Sequence, residues 1–200
     1  GDRMVAFIQE AGIPVAMVGI LGVLRDTPDY KRYKRQGRLI EGVKYTGDSG
    51  IFSRQLSFVP VGDPDELLNQ HRHAVETLNS PVKFFERCRT HYARRTRRPV
   101  NMMAIGLTEV MAFFKSLWHQ GVRGSYRGEF WKFLAHMLRH HPGDFADGVR
   151  LAVQGNHLIM TTRQALQVDE VKTFLDEALM HLKQVSGDYK ETFQRNVDSA

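Results

Sequence analysis

From Asp63 to the end of the chain, apolar residues return at helical spacing, and this pattern constrains the fold more than any other feature of the sequence. Leu107, Val110, Met111, Phe114, Leu117 and Trp118 recur three or four positions apart. Phe130, Phe133, Leu134, Met137 and Leu138 do the same before Pro142-Gly143, and Val171, Phe174, Leu175, Ala178, Leu179 and Leu182 do so again. Start signals agree with the periodicity. Asp63-Pro64-Asp65-Glu66 combines an N-cap, a proline at the first helical position and acidic first-turn residues. Ser80-Pro81 restarts a second helix, expected to run toward Arg98 before Pro99. A further helix is expected over about 145–160, separate from the one carrying Val171. The pattern predicts a mainly α fold, with residues 63–200 as a multi-helix domain.

The first forty residues read differently. Asp2–Ala11 is expected to be helical and to stop at Gly12. The run from Val15 to Leu21 is short, continuous and apolar, which predicts a strand buried on both faces of a parallel sheet. Thr27-Pro28 then starts a helix that ends at Gly37. One helix–strand–helix unit cannot make a stable sheet, so it reads as a short α/β remnant of something larger. The absence of an initiator Met before Gly1 fits the same expectation. Residues 43–62, rich in Gly, Ser and Asp, read as a long connector with one extended run at Leu56–Val59. The expected organisation is 1–45, a connector at 46–62, and the helical domain 63–200.

Composition sets limits on function. Apolar residues make up 42% and charged residues 25%, as in folded globular chains. The single cysteine, Cys88, excludes an internal disulfide and any multi-cysteine metal site. No leader sequence and no apolar stretch of about 20 residues is present, so a cytoplasmic location is expected and a transmembrane segment is not. The net charge of +6 concentrates between Pro81 and Pro99, in Lys83, Arg87, Arg89, Arg94, Arg95, Arg97 and Arg98. Such a stretch either docks an acidic partner, with Arg94 and Arg95 as candidate contacts, or is a solvated helix face.

Few motifs carry chemistry. There is no phosphate-binding glycine loop and no nucleophile elbow. His136 and His140 are spaced for one helix face, but the zinc-protease pattern needs Glu where Met137 stands, so no metal site is expected. Cys88 and His91 are three apart, and Cys88 falls on the apolar stripe with Phe84 and Phe85, which favours an inert, packed thiol. Tyr126, Arg127 and Trp131, with Glu129 and Phe130, form an aromatic and charged cluster just after Gly121 and Gly124. It is a candidate surface for substrate or partner contact, and an ordinary core would look the same.

The stretch Phe7-Ile-Gln-Glu-Ala-Gly-Ile-Pro-Val-Ala-Met-Val-Gly-Ile-Leu21 resembles the last helix and strand of the partial barrel in radical SAM proteins that also carry a cobalamin-binding domain. Asp26-Thr27-Pro28-Asp29-Tyr30 and Gln36-Gly37-Arg38-Leu39-Ile40 fit the same family. So do Thr46-Gly-Asp48, Leu56-Ser-Phe-Val-Pro60, Asn79-Ser-Pro81 through Arg87, Arg127 through Phe133 and Ala152 through His157. Arg25-Asp26 departs from it, since relatives often have Pro-Gly before the Thr. The resemblance implies a parent enzyme of methyltransferase or oxidoreductase type. It would use a [4Fe–4S] cluster, S-adenosylmethionine and cobalamin, all held upstream, with no cofactor in this fragment. It also implies that Val18, Gly19 and Leu21, at the strand's C-terminal end, lie near the cofactor or substrate. The partners implied are the upstream radical SAM and cobalamin-binding domains of the same chain and a small-molecule or lipid-like substrate. Nucleic acid is not among them. On this reading the fragment is not itself an enzyme but a lid or substrate-facing extension. The alternative is a non-catalytic basic helical module binding nucleic acid, an acidic protein or a membrane surface.

Overall fold

The computed structural model describes residues 1–40, 42, 56–95 and 107–198, with the side chains of 107–110, 112, 169 and 188–198 excepted. Thr46–Asp48 and the arginines at 97 and 98, which entered the sequence reading, lie outside the described residues. The chain is mainly helical: α1 (Asp2–Ala11), α2 (Pro28–Arg35), α3 (Pro64–Leu78), α4 (Pro81–Arg94), α5 (Leu107–Ser116), α6 (Arg127–His140) and α7 (Phe145–Asp198). A π-helical turn, Leu117–Val122, continues α5, and a 3-10 turn, Pro142–Asp144, precedes α7.

Local sequence explains most of the boundaries. Gly12 ends α1 in the left-handed conformation, φ 66°, and lies so close to α4 that a Cβ would come 2.9 Å from the His91 amide nitrogen. Thr27 caps α2 by accepting from the Tyr30 amide, and Asp63 caps α3 by accepting from the Asp65 amide. Ser80 opens α4 differently: its hydroxyl donates back to the Thr77 carbonyl. Asp26 adopts φ 64°, the conformation glycine takes without cost. Asp26→Gly is expected to leave the melting temperature unchanged or raise it by a few degrees, and a calorimetric scan checks this.

The chain divides into two compact units, Gly1–Thr162 and Arg163–Ala200. In the first, α1 packs on α3 and α4, and α4 packs on α6. Its core joins Phe84, Phe85, Cys88 and Tyr92 of α4, Phe130, Phe133, Leu134 and Met137 of α6, and Ala152 and Ile159 of α7. Phe85 lies at the centre, with ring centroids 5.3 Å from both Phe84 and Phe133. Each such ring contributes about 1.5–3 kcal/mol by burial. Gly155 gives α7 its approach to α4, because a Cβ there would stand 2.1 Å from the Phe84 ring. A satellite cluster joins Val23, Tyr33 and Phe58, with Tyr33 stacked on Phe58 at 4.3 Å. One antiparallel bridge, Leu39 to Phe58, holds this cluster to the end of the connector.

Three expectations are corrected. Residues 145–160 and the stripe from Val171 are not two helices but one 54-residue helix, since no proline or glycine interrupts Thr161–Val168. The run from Val15 to Leu21 pairs in no sheet among the described residues and is not buried on both faces. Exposure instead alternates along it: Val15, Met17, Gly19 and Leu21 are exposed, while Ala16, Val18 and Ile20 are half-buried. That period of two marks an extended chain lying with one face on the helices. The apolar positions Met111, Phe114 and Trp118 of the third expected stripe are exposed rather than buried.

The second unit, Arg163–Ala200, is helical through Asp198, and its apolar residues Val168, Val171, Phe174, Leu175, Leu179, Leu182 and Val185 are exposed.

Candidate functional site: an open strand face on a helical support

The extended segment is held to the helices by side chains that bond to its backbone. Arg87, on α4, is fully buried. Its guanidinium donates from Nε to the Ile13 carbonyl at 3.1 Å, from Nη2 to the Pro14 carbonyl at 3.3 Å and from Nη1 to Gln9 Oε1 at 3.2 Å. Burial lowers its pKa from the ordinary arginine value, with the neighbouring Cys88 acting in the opposite direction. The guanidinium fork suits this task, since one planar group satisfies three divergent acceptors. Further along, His71 of α3 holds the Val18 carbonyl at 3.1 Å through Nε2. A carbonyl can only accept, so this bond requires the Nε2–H tautomer. At the far end the Val23 amide donates to Ser57 Oγ at 2.8 Å.

These three tethers leave the other face open. Met17 is 73% exposed, and Val15 and Leu21 are also exposed. The sequence-predicted residues therefore separate. Gly19 and Leu21 lie on the open face, whereas Val18 turns its side chain toward the helices and its carbonyl toward His71. His71 and Arg87 were not singled out as site residues from sequence. The signal was present: His71 precedes the buried Ala74, Val75 and Leu78 by three, four and seven positions, and Arg87 lies three after Phe84 on the buried stripe of α4.

The Tyr126 cluster is partly interior. Tyr126 is buried, and its hydroxyl donates to Asn156 Oδ1. Nearby, Gln120 Nε2 donates to Ser116 Oγ at 2.7 Å, both residues being buried. Trp131 is half-exposed, its indole N–H tied at 2.9 Å to the Gly121 carbonyl in the π-helical turn, and Arg127 is exposed. Of the predicted contact residues, Arg127 and Trp131 face solvent and Tyr126 does not.

The basic stretch is less available than the sequence implied. Arg87 is buried, which corrects its reading as part of a solvated face. Arg95 pairs with Asp147 at 2.5 Å and lies 3.9 Å from Asp144, holding the end of α4 to the start of α7. Among the two candidate contacts, Arg94 alone is exposed. Cys88 is buried, and burial pushes its thiol up to about 12, the state of a packed, unreactive cysteine. His136 stands 4.7 Å from His140 and 5.7 Å from His141, ring to ring. Burial, then the neighbouring histidines, pushes its pKa down. Among the described residues no group of three His, Cys, Asp or Glu side chains is arranged to hold a metal ion, and no helix is long and apolar enough to cross a membrane.

Comparison with known proteins places these features in a family. The chain is 24% identical over 161 residues to an uncharacterized methyltransferase of Synechocystis sp., a match covering 80% of this chain and 30% of that protein. It is 25% identical over 173 residues to the hopanoid C-2 methylase of Rhodopseudomonas palustris, covering 82% of this chain and 31% of that protein. The chain thus spans about 30% of the length of these curated relatives. No solved structure matches it. A domain family described as a domain of unknown function, DUF4070, matches residues 27–170, a span from the cap of α2 into α7, and the chain belongs to that family.

Proposed function

We propose that these 200 residues are the accessory, substrate-facing region of a cobalamin-dependent radical SAM methyltransferase. The observation that carries the reading is the similarity, across four-fifths of the chain, to two longer proteins named for methyl transfer. The open apolar face of residues 15–21 supports it, since an apolar strand face beside a helical support suits a chamber for a small-molecule or lipid-like substrate. In this reading residues 1–45 are the last unit of the parent's barrel, 46–62 the connector and 63–200 the helical extension. The upstream domains of the same chain are the partners, and the protein is cytoplasmic.

The residues present do not fit an iron–sulfur cluster. Three thiolates are needed, and Cys88, the chain's one thiol, is buried and held protonated. The cluster and cobalamin would be held elsewhere in the parent. What this chain's residues do is narrower. Gly19 and Leu21 offer contact to cofactor or substrate from the open face. Val18 serves through its backbone, positioned by His71. The apolar side chains of Val15, Met17 and Leu21 exclude water from the reacting centre. Arg127 and Trp131 are exposed and available to substrate or to the upstream domains.

The test uses the parent protein, purified without oxygen and assayed for S-adenosylmethionine consumption and methyl transfer. Leu21→Asp is expected to reduce product at least about tenfold with an unchanged melting temperature, because Leu21 is already exposed. A parent that consumes no S-adenosylmethionine under reducing conditions overturns the reading.

A further inference from the structure

The outward side of α5 and its π-helical turn is apolar, although the core lies on the other side. Ser116, Gln120 and Gly121 are buried, and the half-buried Leu117 packs against the core. Met111, Phe114, Trp118 and Val122 are exposed. On the adjoining α6, Phe130, Phe133, Leu134 and Met137 fill the core, while Trp131 and Leu138 are exposed. The two outward faces meet at Trp131. Its indole N–H donates to the Gly121 carbonyl at 2.9 Å, and a Cβ on Gly121 would stand 3.0 Å from its ring. Trp131 is thus held half in solvent. These six side chains range from 47% to 66% exposed. Large apolar groups gathered on one surface, as opposed to scattered singly, mark a site that is covered in use.

The charges around this patch have one sign. From Met111 to His140 the chain carries Lys115, Arg123, Arg127, Lys132 and Arg139, all exposed, and a single carboxylate, Glu129, which pairs with Lys132 at 2.8 Å. Apolar side chains rimmed by cations, with tryptophans among them, suit a helix lying in the headgroup region of an anionic bilayer. Single-stranded nucleic acid fits less well, because Met111, Val122 and Leu138 offer its bases no stacking platform. The apolar stripe of the Arg163–Ala200 unit differs too, since its helix also carries Asp176 and Glu177, which an anionic surface repels. We propose that α5, the π-helical turn and the outward face of α6 dock on an anionic membrane surface. Met111, Phe114, Trp118, Val122, Trp131 and Leu138 enter the boundary between headgroups and acyl chains, and Lys115, Arg123, Arg127 and Arg139 meet lipid phosphates. The attachment is peripheral, and its cations are not those of the Pro81–Pro99 stretch. Docking itself is independent of the methyltransferase reading; only its consequence, access to a lipid-like substrate, rests on that reading.

Flotation of the purified full-length parent with vesicles tests it, one set of phosphatidylcholine alone and one of three parts phosphatidylcholine to one part phosphatidylglycerol. Binding to the anionic set is expected to be at least about tenfold tighter and to weaken as salt is raised. Phe114→Ser with Trp118→Ser is expected to lower vesicle affinity at least about tenfold. Lys115→Glu with Arg123→Glu is expected to abolish the preference for anionic vesicles. All four residues are exposed, so the melting temperature is expected to stay at the parental value. No binding to anionic vesicles, or equal binding to both sets, overturns the proposal, and so does binding that both double variants leave unchanged. Vesicle binding by a parent that consumes no S-adenosylmethionine keeps this proposal and removes the functional reading instead. Consumption by a parent that binds no vesicle does the reverse.

Discussion

Replacing Gly155 with alanine is expected to destabilise the Gly1–Thr162 unit by about 3 kcal/mol or more, lowering its melting temperature by roughly 6–12 °C. A Cβ at this position would lie 2.1 Å from two carbons of the Phe84 ring, well inside van der Waals contact. Phe84 is fully buried and cannot swing into solvent. It is flanked by Phe85 at 5.3 Å and sits beneath a guanidinium at 5.9 Å, so relief requires α7 to move off α4. The double variant Gly155→Ala with Phe84→Leu tests the cause. If the clash is the mechanism, the second substitution recovers part of the loss, and the two effects are strongly non-additive. Additive losses would mean that Gly155 matters for another reason.

Arg87→Leu is the second large effect expected, again about 3 kcal/mol or more. It removes the donors of three hydrogen bonds at once and strands the Ile13 and Pro14 carbonyls beside an apolar side chain. A leucine of similar bulk fills part of the space, so the loss reports the unsatisfied acceptors more than a cavity. Arg87→Lys is expected to recover less than half of it, because one ammonium on a flexible stem cannot span three divergent acceptors. Thermal melts of the three proteins check the order wild type, Lys, Leu. A melt of Arg87→Leu within one degree of wild type would show that the tether to residues 13–14 carries no stability.

Much of this fold could be read from local chemistry. Gly12, Thr27-Pro28, Asp63-Pro64 and Ser80-Pro81 mark helix ends because caps and prolines act within one turn, and the structure places its boundaries there. The α6 stripe of Phe130, Phe133, Leu134 and Met137 is buried as its spacing requires. What could not be read depends on distant partners. The charge of Arg87 suggested solvent, yet its acceptors, supplied by Gln9, Ile13 and Pro14, lie more than seventy residues away. Arg95 looked free until Asp147 was brought to it by the α4–α7 packing. The continuous apolar run Val15–Leu21 predicts a strand buried on both faces, and the structure shows neither a sheet there nor a second covered face, because a pattern of apolar residues cannot tell one covered face from two. That distinction comes from which neighbours are present, and here the helices supply one face only.

In the proposed function these residues serve a larger radical SAM enzyme whose cluster ligands they do not contain. Reading the coding sequence of the parent gene upstream of the Gly1 codon tests it most directly. The account predicts a Cys-x-x-x-Cys-x-x-Cys motif there, within alternating strand and helix patterns. An upstream sequence without that motif, or no upstream coding sequence at all, would contradict it.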